Sequence, residues 1–163
     1  MVKGETKWVR VDENDSGCPL LVANMLIGTY QHNIDPKGRV IIPAKFREEL
    51  GEVFYAARGD DKTIALFSKK SWDELGEKIA ALPSSKTVKL RRFLFSNAAE
   101  LEPDKQGRVL LPQKLREYAG IDKDVVINGA GSRVEIWNSQ AWEEYDDGQS
   151  EADIFDLMEE LEI

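Results

Sequence analysis

One stretch of this chain occurs twice. Asp35-Pro36-Lys37-Gly38-Arg39-Val40-Ile41-Ile42-Pro43-Ala44-Lys45-Phe46-Arg47-Glu48 returns as Asp104-Lys105-Gln106-Gly107-Arg108-Val109-Leu110-Leu111-Pro112-Gln113-Lys114-Leu115-Arg116-Glu117, at a constant spacing of 69. The match continues with Gly51 and Gly120. It then runs at a spacing of 70 through Gly59 and Gly129, Ile64 and Val134, Phe67 and Trp137, and Trp72 and Trp142. The second copy has therefore gained one residue after Gly120. Such repetition marks one supersecondary unit used twice. Each copy offers only about 45 ordered residues, near the size at which a domain seldom folds alone. The two halves are expected to share one core about a pseudo-two-fold axis. Whatever Arg39 does, Arg108 is placed to do.

The local reading is the same in each copy. Leu26 to Ile34 reads as a strand, and Asp35-Pro36-Lys37-Gly38 as a tight turn. Asp at the first position bonds backbone further along, Pro pre-sets φ, and Gly tolerates the left-handed end. Arg39 to Ile42 is a β-branched strand that closes a hairpin. Pro43 opens a helix that stops at Gly51, with Phe46 and Leu50 facing the core. Val53 to Ala57 and Thr63 to Phe67 read as strands. Ser71 with Glu74 reads as a capping box for a helix that stops at Pro83. In the second copy the equivalents are a strand near Ala98 to Glu102, the Asp104 turn, strand Arg108 to Leu111 and helix Pro112 to Ala119. Strands Asp124 to Asn128 and Arg133 to Trp137 follow, then a short helix capped by Ser139. The expected organisation is a leader over 1–24, repeats over 29–72 and 98–142, a helical connector over 73–97 and an acidic tail over 143–163. The leader lacks periodicity and reads as flexible, or as sequence upstream of a true start at Met25. In the tail, Ile154, Leu157, Met158 and Leu161 fall at i, i+3, i+4 and i+7, an amphipathic helical pattern.

Charge divides along the same lines. Residues 1–24 carry net −1, residues 25–142 net +3, and residues 143–163 net −10, with no Lys or Arg in the last stretch. The overall −8 therefore hides a mildly basic body. No apolar run is long enough to span a membrane, and acidic residues stand where a secretory signal would be basic. Cytosol is the default. The single Cys18 and single His32 exclude an internal disulfide and a multi-cysteine zinc site. A Cys18–His32 nucleophilic pair would need an oriented third group. His32 reads as an ordinary strand residue, and Trp72, Trp137 and Trp142 as core. No cofactor, metal or small-molecule substrate is implied.

The doubled Asp-x-x-Gly-Arg motif with its Pro-x-Lys-[Phe/Leu]-Arg-Glu continuation resembles the SpoVT/AbrB DNA-binding fold. Two copies, flanked by Met25-Leu26-Ile27-Gly28-Thr29-Tyr30 and Arg92-Phe93-Leu94-Phe95-Ser96-Asn97-Ala98, look like the MraZ family over residues 25–146. That resemblance implies an α+β, β-rich fold of two swapped-hairpin repeats forming one barrel-like unit with short helices. It implies a nucleoid-associated transcriptional regulator, not an enzyme. The implied partners are double-stranded DNA, as direct repeats upstream of a division and cell-wall gene cluster, and copies of the same chain in a ring. It puts the family's Asp-x-x-x-Arg motif on Asp35 and Arg39 and on Asp104 and Arg108, with arginine as the DNA-contacting member.

Residue chemistry agrees more loosely. An arginine after a tight turn projects its fork, which can bond guanine O6 and N7 together. Lys37 and Lys105 on the turns suit phosphate, which positions without specifying. Asp35 and Asp104 orient the arginines, and Gly38 and Gly107 hold the turns. Lys45, Arg47, Lys114 and Arg116 read as a solvated helix face that adds to the phosphate field. Lys86, Lys89, Arg91 and Arg92 suit either phosphate or acidic groups of a neighbouring subunit. The ten acids of the tail suit competition with DNA for the basic body. Other readings of the chain are an antitoxin-like protein-binding module, a structural ring and an enzyme. The last lacks a nucleophile–base pair, phosphate loop or metal set.

Overall fold

The computed structural model describes residues 25–163; the expected leader over 1–24, and Cys18 within it, lie outside the described residues. The first half contributes β1 (Thr29–Asn33), β2 (Arg39–Ile41), α1 (Ala44–Leu50), β3 (Phe54–Arg58), a 3-10 turn (Asp60–Lys62), β4 (Ile64–Ser68), α2 (Lys69–Ala80) and α3 (Ser84–Phe95). The second contributes β5 (Ala99–Leu101), β6 (Arg108–Leu110), α4 (Gln113–Tyr118), β7 (Asp124–Gly129), β8 (Val134–Asn138), α5 (Ser139–Asp147) and α6 (Glu151–Glu160).

The strands form a six-stranded antiparallel sheet in the order β1-β7-β8-β4-β3-β5 and a separate two-stranded ribbon, β2-β6. The halves exchange their first strands. β1 pairs with β7, Tyr30 opposite Ile127, and β5 pairs with β3, Glu100 opposite Tyr55. At the two central pairings, equivalent residues face each other: Ala65 opposite Glu135 and Val40 opposite Val109. The pseudo-two-fold axis runs through both points. This is the swapped-hairpin, α+β architecture that the family resemblance implies, built about the pseudo-two-fold that the duplication predicts. It is barrel-like rather than a closed barrel, because β1 and β5 remain sheet edges.

One apolar cluster joins the halves. Val40, Ile42, Phe46 and Leu50 meet Val109, Leu111, Leu115 and Ala119 over the sheet residues Phe54, Ile64, Leu66, Val125, Ile127 and Ile136. Phe46 and Leu50 face inward as their i, i+4 spacing requires. Burying one such side chain contributes roughly 1.5–3 kcal/mol, and neither half supplies a closed set alone. The other face of the sheet is covered unequally. Over the first half, α2 and α3 pack on Ala57, Ala65 and Phe67, with Trp72 at 5.3 Å from Phe95 and stacked at 5.6 Å on Tyr55. Over the second half, among the described residues, only α5 does so, placing Trp142 and Tyr145 each 5.1 Å from Trp137. The three tryptophans are thus packing residues.

Three local expectations need correction. The first strand is shorter than Leu26–Ile34: Gly28, at φ 108°, breaks it, and Leu26 forms a lone bridge with Gly131. The capping box at Ser71 is not used. The helix begins at Lys69, and Ser68 accepts the Ser71 N–H. Likewise Asn138, not Ser139, caps α5 through the Ala141 N–H. In both cases the strand runs directly into the helix, so the cap is the last strand residue.

Candidate nucleic-acid interface

The two motif turns have one construction. Asp35 Oδ1 accepts the backbone N–H groups of Lys37 (2.9 Å) and Arg39 (2.8 Å), while Oδ2 accepts Arg39 Nε–H at 2.7 Å. The turn closes through Gly38 N–H to Asp35 O at 2.9 Å. Asp104 repeats this with Gln106 (2.9 Å), Arg108 N (2.9 Å) and Arg108 Nε (2.8 Å). Gly38 and Gly107 sit at φ 89° and 83°, the left-handed region that glycine takes without a Cβ penalty. The backbone N–H bond from Arg39 holds the Asp35 carboxyl below the usual carboxylate range, with the Arg39 guanidinium adding to it. Asp104 is lowered by Arg108 in the same way. Both pairs are about one-third exposed, so they orient side chains more than they stabilise the fold.

With Nε held, each arginine presents the terminal edge of its fork. Among the described residues, neither Nη pair has a partner. The ribbon places both arginines on one face. Alternation along a strand sends Val40 and Val109 into the core and Arg39, Ile41, Arg108 and Leu110 outward. Arg39 lies opposite Leu110 and Arg108 opposite Ile41. Ile41 and Leu110 are 42% and 56% exposed, so the outer face is two arginines alternating with two bare aliphatic side chains.

A turn stands at each end of this ribbon. Leu111 N–H bonds Gly38 O at 2.9 Å and Ile42 N–H bonds Gly107 O at 3.0 Å, so each turn is stitched to the other half. The exposed Lys37 and Lys105 occupy opposite ends, at the third and second turn positions respectively. From Gly38 to Ile42 the strand spans about 13 Å.

Arg47 and Arg116 do not form the solvated helix face expected of them. Both are half-buried. Arg47 Nε–H bonds Ile42 O at 2.8 Å, and Arg116 Nε–H bonds Leu111 O at 2.9 Å. Each guanidinium lies on the glycine of the opposite turn: a Cβ on Gly38 would meet Arg116 at 2.9 Å, and one on Gly107 would meet Arg47 at 2.8 Å. Lys45 and Lys114 remain exposed. The clasp depends on the crossed arrangement of the halves, which no local pattern reveals. Ile41 and Leu110 were also missed, although two-residue alternation from Arg39 and Arg108 identifies them. His32 is a β1 residue opposite Val125, as expected. Among the described residues, no helix is long and apolar enough to cross a membrane, and no group of three His, Cys, Asp or Glu side chains is placed to hold a metal.

Fold and site together define a class: a duplicated, strand-swapped α+β protein that displays a two-stranded arginine ribbon. The family model described as "MraZ protein, putative antitoxin-like" matches the chain twice, over residues 25–92 and 94–161. A protein of Acetivibrio thermocellus named transcriptional regulator MraZ is 49% identical over 143 residues, covering 85% of this chain and 100% of that one. Its namesake from Carboxydothermus hydrogenoformans is 52% identical over 130 residues, 78% and 91% of the two chains. Another, from Heliobacterium modesticaldum, is 50% identical over 125 residues, 76% and 87%. The chain belongs to the MraZ family.

Proposed function

We propose that this protein is a sequence-specific DNA-binding regulator of transcription, acting in the cytoplasm on nucleoid DNA. Its sites are direct repeats upstream of its own division and cell-wall gene cluster. The carrying observation is the outward ribbon with two oriented arginine forks. The major groove, about 12 Å wide, admits a two-stranded ribbon of this kind. In this reading Arg39 and Arg108 each bond guanine O6 and N7, and Ile41 and Leu110 cover thymine methyl groups. Asp35 and Asp104 position the forks, and Gly38 and Gly107 let the turns approach the duplex. Lys37 and Lys105 reach phosphates on the two walls. The lowered carboxyls also suit this role: a group kept ionised is an orienting acceptor, not the general acid that an enzyme would require. A body of net +3 holds DNA weakly by charge alone. Several copies on several DNA repeats would raise avidity by about 10² to 10⁴. The repeats over 29–72 and 98–142 form the reading unit, while the connector over 73–97 and the tail over 143–163 serve assembly.

The test is fluorescence anisotropy with DNA from upstream of the chain's own gene against scrambled DNA, at fixed salt. Arg39→Ala should cost about 1–3 kcal/mol of discrimination, roughly 5- to 150-fold, with assembly intact. In the same assay Leu110→Ala should lower preference only at thymine positions. Unchanged selectivity in Arg39→Ala would make that arginine structural. No binding by the wild type, with co-purification of a small basic protein, would favour the antitoxin-like reading.

A further inference from the structure

The two halves end in helices at equivalent places with opposite charge. α3 follows α2 as α6 follows α5. α3 carries Lys86, Lys89, Arg91 and Arg92 and no acid. α6 carries Glu151, Asp153, Asp156, Glu159 and Glu160 and no base. Both also present bare apolar side chains. On α3 and its approach these are Leu82 and Leu90, with Phe93 exposed on one side and packed on Tyr118 and Arg58 on the other; on α6 and its C-cap, Ile154, Leu157, Met158 and Leu161 line one face. α3 is anchored to its own half by its inner side, through Phe95 on Trp72. Every residue from Glu143 to Ile163 is exposed, so α6 is buried against none of the described residues of its own chain.

We infer that the apolar, acidic face of α6 docks on the outer, basic face of α3 in a second copy of this chain. Two other seats are disfavoured by chemistry. The groove beneath α2 offers Tyr55, Trp72 and Phe95 but is rimmed by Asp73, Glu77 and Glu100, which repel an acidic helix. The corresponding hollow beside α5 is polar, lined by Gln31, Asn33, Asp124 and Glu143, and gives an apolar face nothing to cover. Among the described residues, the β2–β6 ribbon also joins exposed apolar side chains to positive charge, but its arginines are paired with Asp35 and Asp104, whereas no acid opposes the bases of α3. The contact joins unlike surfaces, so it closes a two-fold dimer where it is reciprocated and is head-to-tail where it is not. The head-to-tail form builds a ring where its rotation closes and a filament where it does not. It names the joint for the assembly assumed above and rests on that part of the reading.

The experiment is sedimentation velocity of the full chain without DNA, which separates its failure from that of DNA reading. One variant carries Lys86→Glu, Lys89→Glu and Arg92→Glu. A second carries Asp156→Lys, Glu159→Lys and Glu160→Lys, placed in the last turns where Lys favours the helix. Circular dichroism verifies that both are folded. Each alone should assemble at least tenfold more weakly than wild type, and an equimolar mixture should recover assembly. Recovery in the mixture requires contact between chains. The inference is overturned by a wild type that is monomeric, or by variants that assemble as wild type does. It is equally overturned if assembly is lost but not recovered on mixing.

Discussion

Asp35 spends both carboxylate oxygens on one turn, and this makes the arginine site dependent on a single ionisation. Its carboxyl is lowered first by the Arg39 backbone N–H and then by the Arg39 side chain. A carboxylate lowered by folding stabilises the turn at pH above its ordinary value, about 3.9. That stabilisation is lost as the pH falls through the lowered value. The forks should therefore stay oriented at neutral pH and be released only below about pH 4. NMR shifts of the Arg39 and Arg108 Nε–H protons across an acid titration would check this; a transition already complete above pH 4 would contradict it. At this scale much was legible. The Asp-to-Arg spacing predicts the turn and its ion pair from chemistry alone. The placement of Arg47 and Arg116 is not local: the glycines they cover lie across the pseudo-two-fold, 60 residues on for Arg47 and 78 residues back for Arg116.

At the scale of elements, the ribbon is stitched from both halves, and its turns are packed under arginines of the opposite helices. Gly107→Ala should be destabilising twice over. It places a side chain at φ 83° and drives its Cβ to 2.8 Å from Arg47. Strain of this type costs on the order of 1–3 kcal/mol, and in a two-state melt it should appear as a lowered Tm. Hydrogen exchange should also quicken at Ile42, whose N–H bonds Gly107 O. Protection unchanged at Ile42 would show the turns to be independent. The strands and helices themselves were readable from β-branched runs, Pro starts and Gly stops. Their ends were less so. Ser71 satisfies a capping pattern, yet β4 reaches Ser68 and the helix begins after it, because pairing with β3, Ser68 opposite Phe54, decides where the strand ends.

For the whole molecule, the duplication announced two halves and one core, while the partner of each strand had to come from three dimensions. Fragments 25–97 and 98–163 should each be unfolded alone by circular dichroism and regain structure when mixed, since β1 needs β7 and β5 needs β3. A stable isolated fragment would refute the shared core. The exchange of first strands also bears on how the chain is made. Thr29 finds its neighbour Asn128 only after 99 further residues have been added. At about 5–20 residues per second, synthesis leaves β1 waiting roughly 5–20 s. During that interval an unpaired strand on one ribosome can meet a complementary strand from the next chain on the same message. A joint made in that way would be inherited by the finished protein.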